Sequence, residues 1–284
     1  MHSARRGRGS DVAGSRPYVP GDDVKAIDWG ASARLSSARG SDHFILRERY
    51  AEEAPRVVVI ADRRPDMQLF PPGLPWLRKA EAQRTAIELI RASTVEAHGF
   101  LGYLDFGDGG DVPFWLPPQS QSLWEYQDRE EEGALFLAPA SNVEDAFEFL
   151  MAHPRSVPAG TFLFVLSDFL VPPSTETWLR VLELRWDVIP VVLQDPLWER
   201  SFPPVDGFRL EVTDTTGRRE EVRLHRGEAA ALQQRHEERW QQLLEDFARA
   251  ALDPVLVDSS DESELLGAFL DWAETREASV DGLR

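Results

Sequence analysis

Two aspartates are the first residues whose setting suggests chemistry. Asp62 closes the run RVVVIA (Arg56 to Ala61), and Asp168 closes TFLFVLS (Thr161 to Ser167). Both runs are short and apolar, bounded by turn formers and charges, the pattern of strands buried on both faces of a parallel sheet. Open α/β sheets bind ligands and partners in the crevice outside the carboxyl ends of their strands. A carboxylate placed there is a functional candidate. The plain reading of one such aspartate is a cap on the turn that follows the strand. Two strands that each bring a carboxylate to one edge make a constellation.

Enzyme motifs narrow the chemistry. The chain has no G-x-S-x-G nucleophile elbow, no G-x-x-x-x-G-K-[ST] phosphate loop and no dinucleotide fingerprint. An aspartyl-phosphate enzyme calls for D-x-D after its first strand, whereas Asp62-Arg63-Arg64-Pro65-Asp66 spaces its acids differently. HEERW at His236 lacks the second histidine of H-E-x-x-H, so His236 reads as a core or boundary residue. Asp22, Asp23 and Asp28 cluster without the spacing of a calcium loop and read as turn caps beside a buried Trp29.

The elements that position the two acids follow from periodicity. Leu77, Ala80, Ile87, Ile90, Thr94 and Ala97 predict an amphipathic helix stopped by Gly99. FLGYLDFGDGGDVPFWLP predicts two strands joined at Gly107 to Asp111. Residues 119–133 predict a surface helix or loop. Val143, Ala146, Phe147, Leu150 and Met151 predict a helix capped by Ser141. A helix near Thr175 to Leu184 and a strand in WDVIPVVLQD follow, and the alternation implies a doubly wound, mostly parallel α/β sheet with right-handed crossovers. FRLEVTD and REEVRLHR predict a hairpin near 205–225 appended to the sheet edge. A long helix from Glu228 to Ala251, a strand in PVLVDSS and a helix in ELLGAFLDWA complete the core, with Glu274, Glu277 and Asp281 as a solvated end. Residues 1–15, rich in Gly, Ser and Arg, predict disorder at least to Val12; DHFILRERYAEE predicts an extended strand leading into residues 54–284.

Composition sets outer bounds. With 49 acidic against 31 basic residues the formal charge is -18, which disfavours nucleic acid as a partner. There is no cysteine, so disulfides and thiolate metal sites are excluded. No apolar run approaches the roughly 20 residues that cross a bilayer, and the basic start has no apolar stretch behind it. These features predict a cytoplasmic protein.

Tyr18, Pro20, Gly21, Asp22, Asp23, Ile27, Asp28 and Trp29 fit the signature Y-x-P-G-D-D-x-R/K-x-I-D-W, followed by Ala33-Arg34 and the strand ending in Asp62. With Ser167 to Phe169, D-P-L-W-E at Asp195 and the T-G turn at Gly217, the chain resembles the domain of unknown function 58 family over most of its length. That resemblance implies a von Willebrand factor A-like domain at 54–284, with the 16–53 signature segment packed on it. It also implies a MoxR-type AAA+ ATPase as partner and a non-enzymatic adaptor role, in which a further client protein binds at the carboxyl edge. In von Willebrand factor A domains that edge carries a metal-ion-dependent adhesion site built on D-x-S-x-S, a threonine and an aspartate. Residue by residue, Asp62, Ser141 and Asp168 match the first aspartate, the threonine and the last aspartate, while Arg64 and Asp66 replace the serines. Two outcomes follow for this degenerate site. Either the Arg64 guanidinium bridges Asp62 and Asp168 without metal, or Arg64 swings out and Asp66 joins the two acids around magnesium or calcium. A metal-dependent phosphohydrolase using Asp62, Asp66 and Asp168 is the rival function.

Overall fold

The computed structural model describes residues 6–17, 32, 45–50, 54–68, 77–120, 124–133, 135–213 and 219–281. Its contacts divide the chain into Met1–Pro55 and Arg56–Arg284. In the first unit, β1 (Arg6–Pro17) pairs antiparallel with β2 (Ile45–Tyr50), with register breaks on either side of Val12. The sequence expects disorder in residues 1–15; of these, 6–15 belong to the β1 ladder, which pairs their backbone groups, and 1–5 lie outside the described residues. The signature residues Tyr18, Pro20, Gly21, Asp22, Asp23, Ile27, Asp28 and Trp29 lie outside the described residues.

The second unit holds β3 (Arg56–Ala61), β4 (Phe100–Asp105), β5 (Phe114–Ser120), β6 (Phe162–Ser167), β7 (Asp187–Leu193), β8 (Phe208–Thr213), β9 (Arg219–Leu224) and β10 (Val255–Val257). Six of them form one sheet in the order β10-β7-β6-β3-β4-β5, parallel except for β5, which returns antiparallel along β4. The chain leaves β3 towards β4 and comes back on the other side at β6, so the winding direction reverses between β3 and β6. β8 and β9 form a two-stranded sheet of their own. This corrects the expected attachment to the main sheet edge. Leu224 at the end of β9 packs instead with Phe202 and Ala229 in a small separate cluster.

Helices α1 (Lys79–Glu96), α2 (Trp124–Glu132), α3 (Asn142–Met151), α4 (Thr175–Glu183), α5 (Arg226–Arg249) and α6 (Glu262–Asp281) cover both faces. The period of two along β3 decides which residue meets which layer. Val57, Val59 and Ala61 join Ile87 and Ile90 of α1 and Leu265 of α6 on one face. Val58 and Ile60 join Phe147 of α3, Trp178 and Val181 of α4 and Phe247 of α5 on the other. Every β3 side chain after Arg56 is buried, and each large aliphatic one contributes about 1.5–3 kcal/mol of transfer free energy.

The helix ends differ from the sequence expectation in one instructive place. α1 closes with Gly99 N–H bonded to the Thr94 carbonyl and His98 N–H to that of Val95, a Schellman closure. The residue in the left-handed region is His98, at φ 53°, and Gly99 only follows it. Ala97, expected on the buried stripe, is exposed. α6 runs on through Glu274, Glu277 and Asp281, since an acidic stretch of good helix formers continues the helix that Leu265 and Trp272 anchor.

Candidate functional site

Each of the four central parallel strands delivers an aspartate at or just beyond its carboxyl end. These are Asp105 on β4, Asp62 after β3, Asp168 after β6 and Asp195 after β7. Asp62 and Asp168 flank the point where the winding reverses, and the β3–β6 ladder extends to Asp62, whose N–H donates to the Leu166 carbonyl at 2.9 Å. Both are fully buried.

Arg64 lies between them. Its Nε donates to Asp62 Oδ1 and Oδ2 at 3.1 and 3.0 Å, and its Nη2 to Asp62 Oδ2 at 2.7 Å and also to Asp168 Oδ1. Ser167 Oγ donates to Asp62 Oδ2 at 2.6 Å and Asn142 Nδ2 to Asp62 Oδ1 at 3.2 Å. Asp168 Oδ2 accepts from Lys79 Nζ at 2.7 Å, and Lys79 also donates to Glu199 Oε1 at 2.8 Å. Phe169, next in the chain, sits at φ 50°, a strained conformation for an aromatic residue. Its N–H is held by Ser167 Oγ at 2.9 Å, and the Leu170 N–H by Asp168 Oδ1 at 3.0 Å.

The charges tune one another. Burial works against the Arg64 and Lys79 cations, yet Asp62 and Asp168 for the first, and Asp168 and Glu199 for the second, raise both above their ordinary values. Burial likewise opposes ionisation of Asp168, but Lys79 and Arg64 hold its carboxyl below the usual range. Glu199 goes the other way. Burial, helped by the Asp168 charge, pushes it up despite Lys79.

The remaining expected site residues are placed differently. Asp66 lies in a short 3-10 turn (Pro65–Gln68), one third exposed, 3.8 Å from Arg64 Nη1. Arg64 Nη1 is buried without a hydrogen-bond partner. Ser141 is corrected: it precedes α3, but its hydroxyl is exposed and donates to Asp145 Oδ2 at 2.7 Å, capping nothing. The neighbouring Asn142, as the first helical residue, points inward to Asp62 instead. His236 is half-buried, its Nδ1 2.8 Å from the Ser201 carbonyl.

Lys79, Glu199, Asn142 and Ser167 were not anticipated, nor was a second buried cluster beside the first. In that cluster Tyr103 Oη accepts from Arg63 Nη2 at 2.9 Å and donates to Asp105 Oδ2 at 2.7 Å, while Arg129 Nη2 reaches Asp105 Oδ1 at 3.1 Å. One signal was available. Lys79 and Gln83 sit one turn apart on the stripe that continues as Ile87, Ile90 and Thr94, and a polar residue in a core-facing stripe needs a buried partner.

The divalent cation implied by the resemblance can be tested against this donor set. Every carboxylate oxygen of Asp62 and Asp168 accepts hydrogen bonds from Arg64, Lys79, Ser167, Asn142 or the backbone, and two cations already neutralise them. At the two positions where the resemblance expects hydroxyl ligands stand Arg64, bonded to Asp62, and Asp66, 3.8 Å from Arg64 Nη1 and one third exposed. Among the described residues no group of three or more His, Asp or Glu side chains is arranged to hold a metal. The residues present do not fit a divalent cation.

Comparison with known proteins gives a family match. The model of the family described as "Protein of unknown function DUF58" matches residues 14–242. Two solved structures are similar at low identity. The conserved hypothetical protein BatB from Bacteroides thetaiotaomicron is 16% identical, with a TM-score of 0.41 over 78% of this chain and 99% of that one. An aerotolerance-related membrane protein from Bacteroides fragilis NCTC 9343, carrying multiple mutations to serine, is 15% identical, with a TM-score of 0.42 over the same shares. None of the curated proteins matches. Among the described residues, no helix is long and apolar enough to cross a membrane.

Proposed function

We propose, from the premise that this chain belongs to the DUF58 family of proteins of unknown function, that it is a non-enzymatic interaction module. Its second unit is read as a von Willebrand factor A-like domain whose adhesion site has exchanged its metal for Arg64. The module works with a MoxR-type AAA+ ATPase in the cytoplasm, where nucleotide is at hand, and presents a client protein at the carboxyl edge of the sheet.

One observation carries this reading: the Arg64 guanidinium spans Asp62 and Asp168 at the winding reversal. A phosphohydrolase would need those carboxylates to offer lone pairs to a metal or a proton to a leaving group. Here they are committed to Arg64 and Lys79. An edge whose acids are already held by hydrogen bonds is preorganised for docking, because little has to be ordered when a partner arrives. The surplus of acidic side chains favours a partner with a basic face and fast encounter at low salt.

Two measurements test it. Magnesium titrated calorimetrically into the purified protein is expected to give no heat of specific binding; micromolar binding that vanishes in Asp62→Ala would return the site to metal chemistry. Affinity capture from the native host with nucleotide present is expected to recover an AAA+ ATPase. Capture of a stoichiometric small metabolite and no ATPase would end the adaptor reading.

A further inference from the structure

A second surface lies away from the aspartate edge. β10 is the last strand of the main sheet, and β7 is its one strand neighbour among the described residues. The outer side of such a strand presents main-chain donors and acceptors that another extended chain can use. Beside it, between β10 and α6, runs an open groove of about 590 Å³. Trp272 on α6 gives it apolar surface, while Leu256, 38% exposed on β10, alternates to the sheet face opposite Val255 and Val257. Gly267 keeps its helical wall low: a Cβ there would meet nothing within 4 Å. Glycine inside a helix costs stability, so the open wall is not what local helix propensity would select.

The groove's charge is one-sided. Asp253, Asp258, Glu264 and Asp271 line it, and all four are exposed. The basic residue that lines it, Arg276, is held by Asp187, its Nη2 2.6 Å from Oδ1, and rests 5.3 Å from the Trp272 ring centroid. Asp258 comes no nearer than 3.8 Å to Arg200 Nη1. The Trp272 ring is fixed from behind, its Nε1 donating to the Asp253 carbonyl at 3.0 Å and its edge meeting Phe164. A fixed aromatic ring, an edge strand and four carboxylates around one trough match one kind of occupant.

We infer that the β10–α6 groove binds an extended basic segment of a partner protein, added along β10, with an apolar side chain on Trp272 and lysines or arginines towards the four acids. This is independent of the aspartate edge and of the ATPase partnership. An extended chain alternates its side chains, so lysine and valine in strict alternation keep valine on the Trp272 side along the whole length, whereas the same residues in blocks do not.

The test uses the full chain and a fluorescein-labelled peptide of alternating lysine and valine, followed by anisotropy at low salt. Because the whole protein is acidic, specificity is the point at issue. Glu264→Lys combined with Asp271→Lys is expected to weaken binding about tenfold or more, and Gly267→Phe to weaken it by filling the trough. Glu131→Lys with Glu132→Lys, equally exposed on α2, is expected to leave it within about twofold. A block peptide of the same composition is expected to bind more weakly. Equal loss in the α2 control, equal binding of the block peptide or no measurable binding would each overturn the inference. Hydrogen exchange on the unmodified protein does not depend on the variants folding. Peptide-induced protection over 253–258 supports the groove, and protection elsewhere overturns it.

Discussion

Replacing Arg64 by methionine keeps most of the side chain's bulk and removes the fork between Asp62 and Asp168. The side chain is 4% exposed and the two carboxylates 0%, so water cannot take over without opening the edge. Three contacts to Asp62 and one to Asp168 disappear. Asp62 keeps Ser167, Asn142 and the residue 64 N–H, and Asp168 keeps Lys79 and the Leu170 N–H, which softens the loss. Breaking one partner of a buried ion pair costs about 3–5 kcal/mol, a large share of the 5–15 kcal/mol typical of a domain. Urea denaturation followed by tryptophan fluorescence at neutral pH should therefore move the midpoint well down. Arg64→Lys, which keeps the charge and loses the planar fork, should cost about 1.5–3 kcal/mol, the range of a hydrogen bond to a charged group. Adding Asp62→Asn to Arg64→Met should recover part of the loss, because one uncompensated charge is gone. A loss below about 1 kcal/mol for Arg64→Met, the range of an exposed pair, would mean that the guanidinium does not hold the two acids together in solution.

Two more outcomes follow from local geometry. Gly102→Ala puts a Cβ 2.8 Å from the Leu116 carbonyl oxygen and 2.9 Å from Pro118 N, so β5 must move from β4; a destabilisation of about 1–3 kcal/mol in the same urea assay is expected, and none would contradict the tight β4–β5 approach. Burial, with the Arg239 and Arg235 charges, lowers the His236 pKa below 6.5 despite its bond to the Ser201 carbonyl. The unfolded chain then binds more protons between that lowered value and 6.5, so this contribution is complete above 6.5 and is lost as pH falls through the window. His236→Gln should remove that slope from the stability profile, and an unchanged slope would assign it to other groups.

How much was legible varies by residue and has a physical cause. Val57 to Ala61 announced a strand buried on both faces because alternation is a property of the backbone, and a run with no polar face has nowhere to go but the centre of a sheet. The same logic found β6, β7, α1 and α3. Ser141 was misassigned to the site because the identity of a helix's first inward residue depends on where the helix starts, and a shift of one residue exchanged it for Asn142. Asp105 was overlooked and Asp195 was noted only within D-P-L-W-E, although FLGYLD and VVLQD end as the strands before Asp62 and Asp168 do. Gly99 was expected to stop the helix, and it does follow the end, but the left-handed residue is His98, whose strain the Schellman hydrogen bonds offset.

The sequence by itself determined the order of strands and helices, the two-sided core and the presence of carboxylates at strand ends, because those are set by periods of two and 3.6 in the local chain. Only the tertiary structure decided what the carboxylates meet. Arg64 and Asp168 are 104 residues apart and Lys79 and Glu199 are 120 apart, and no local pattern records such pairings. They arise because adjacent parallel strands bring distant loops to one edge, where burying a charge without a partner would cost more than the fold can spare.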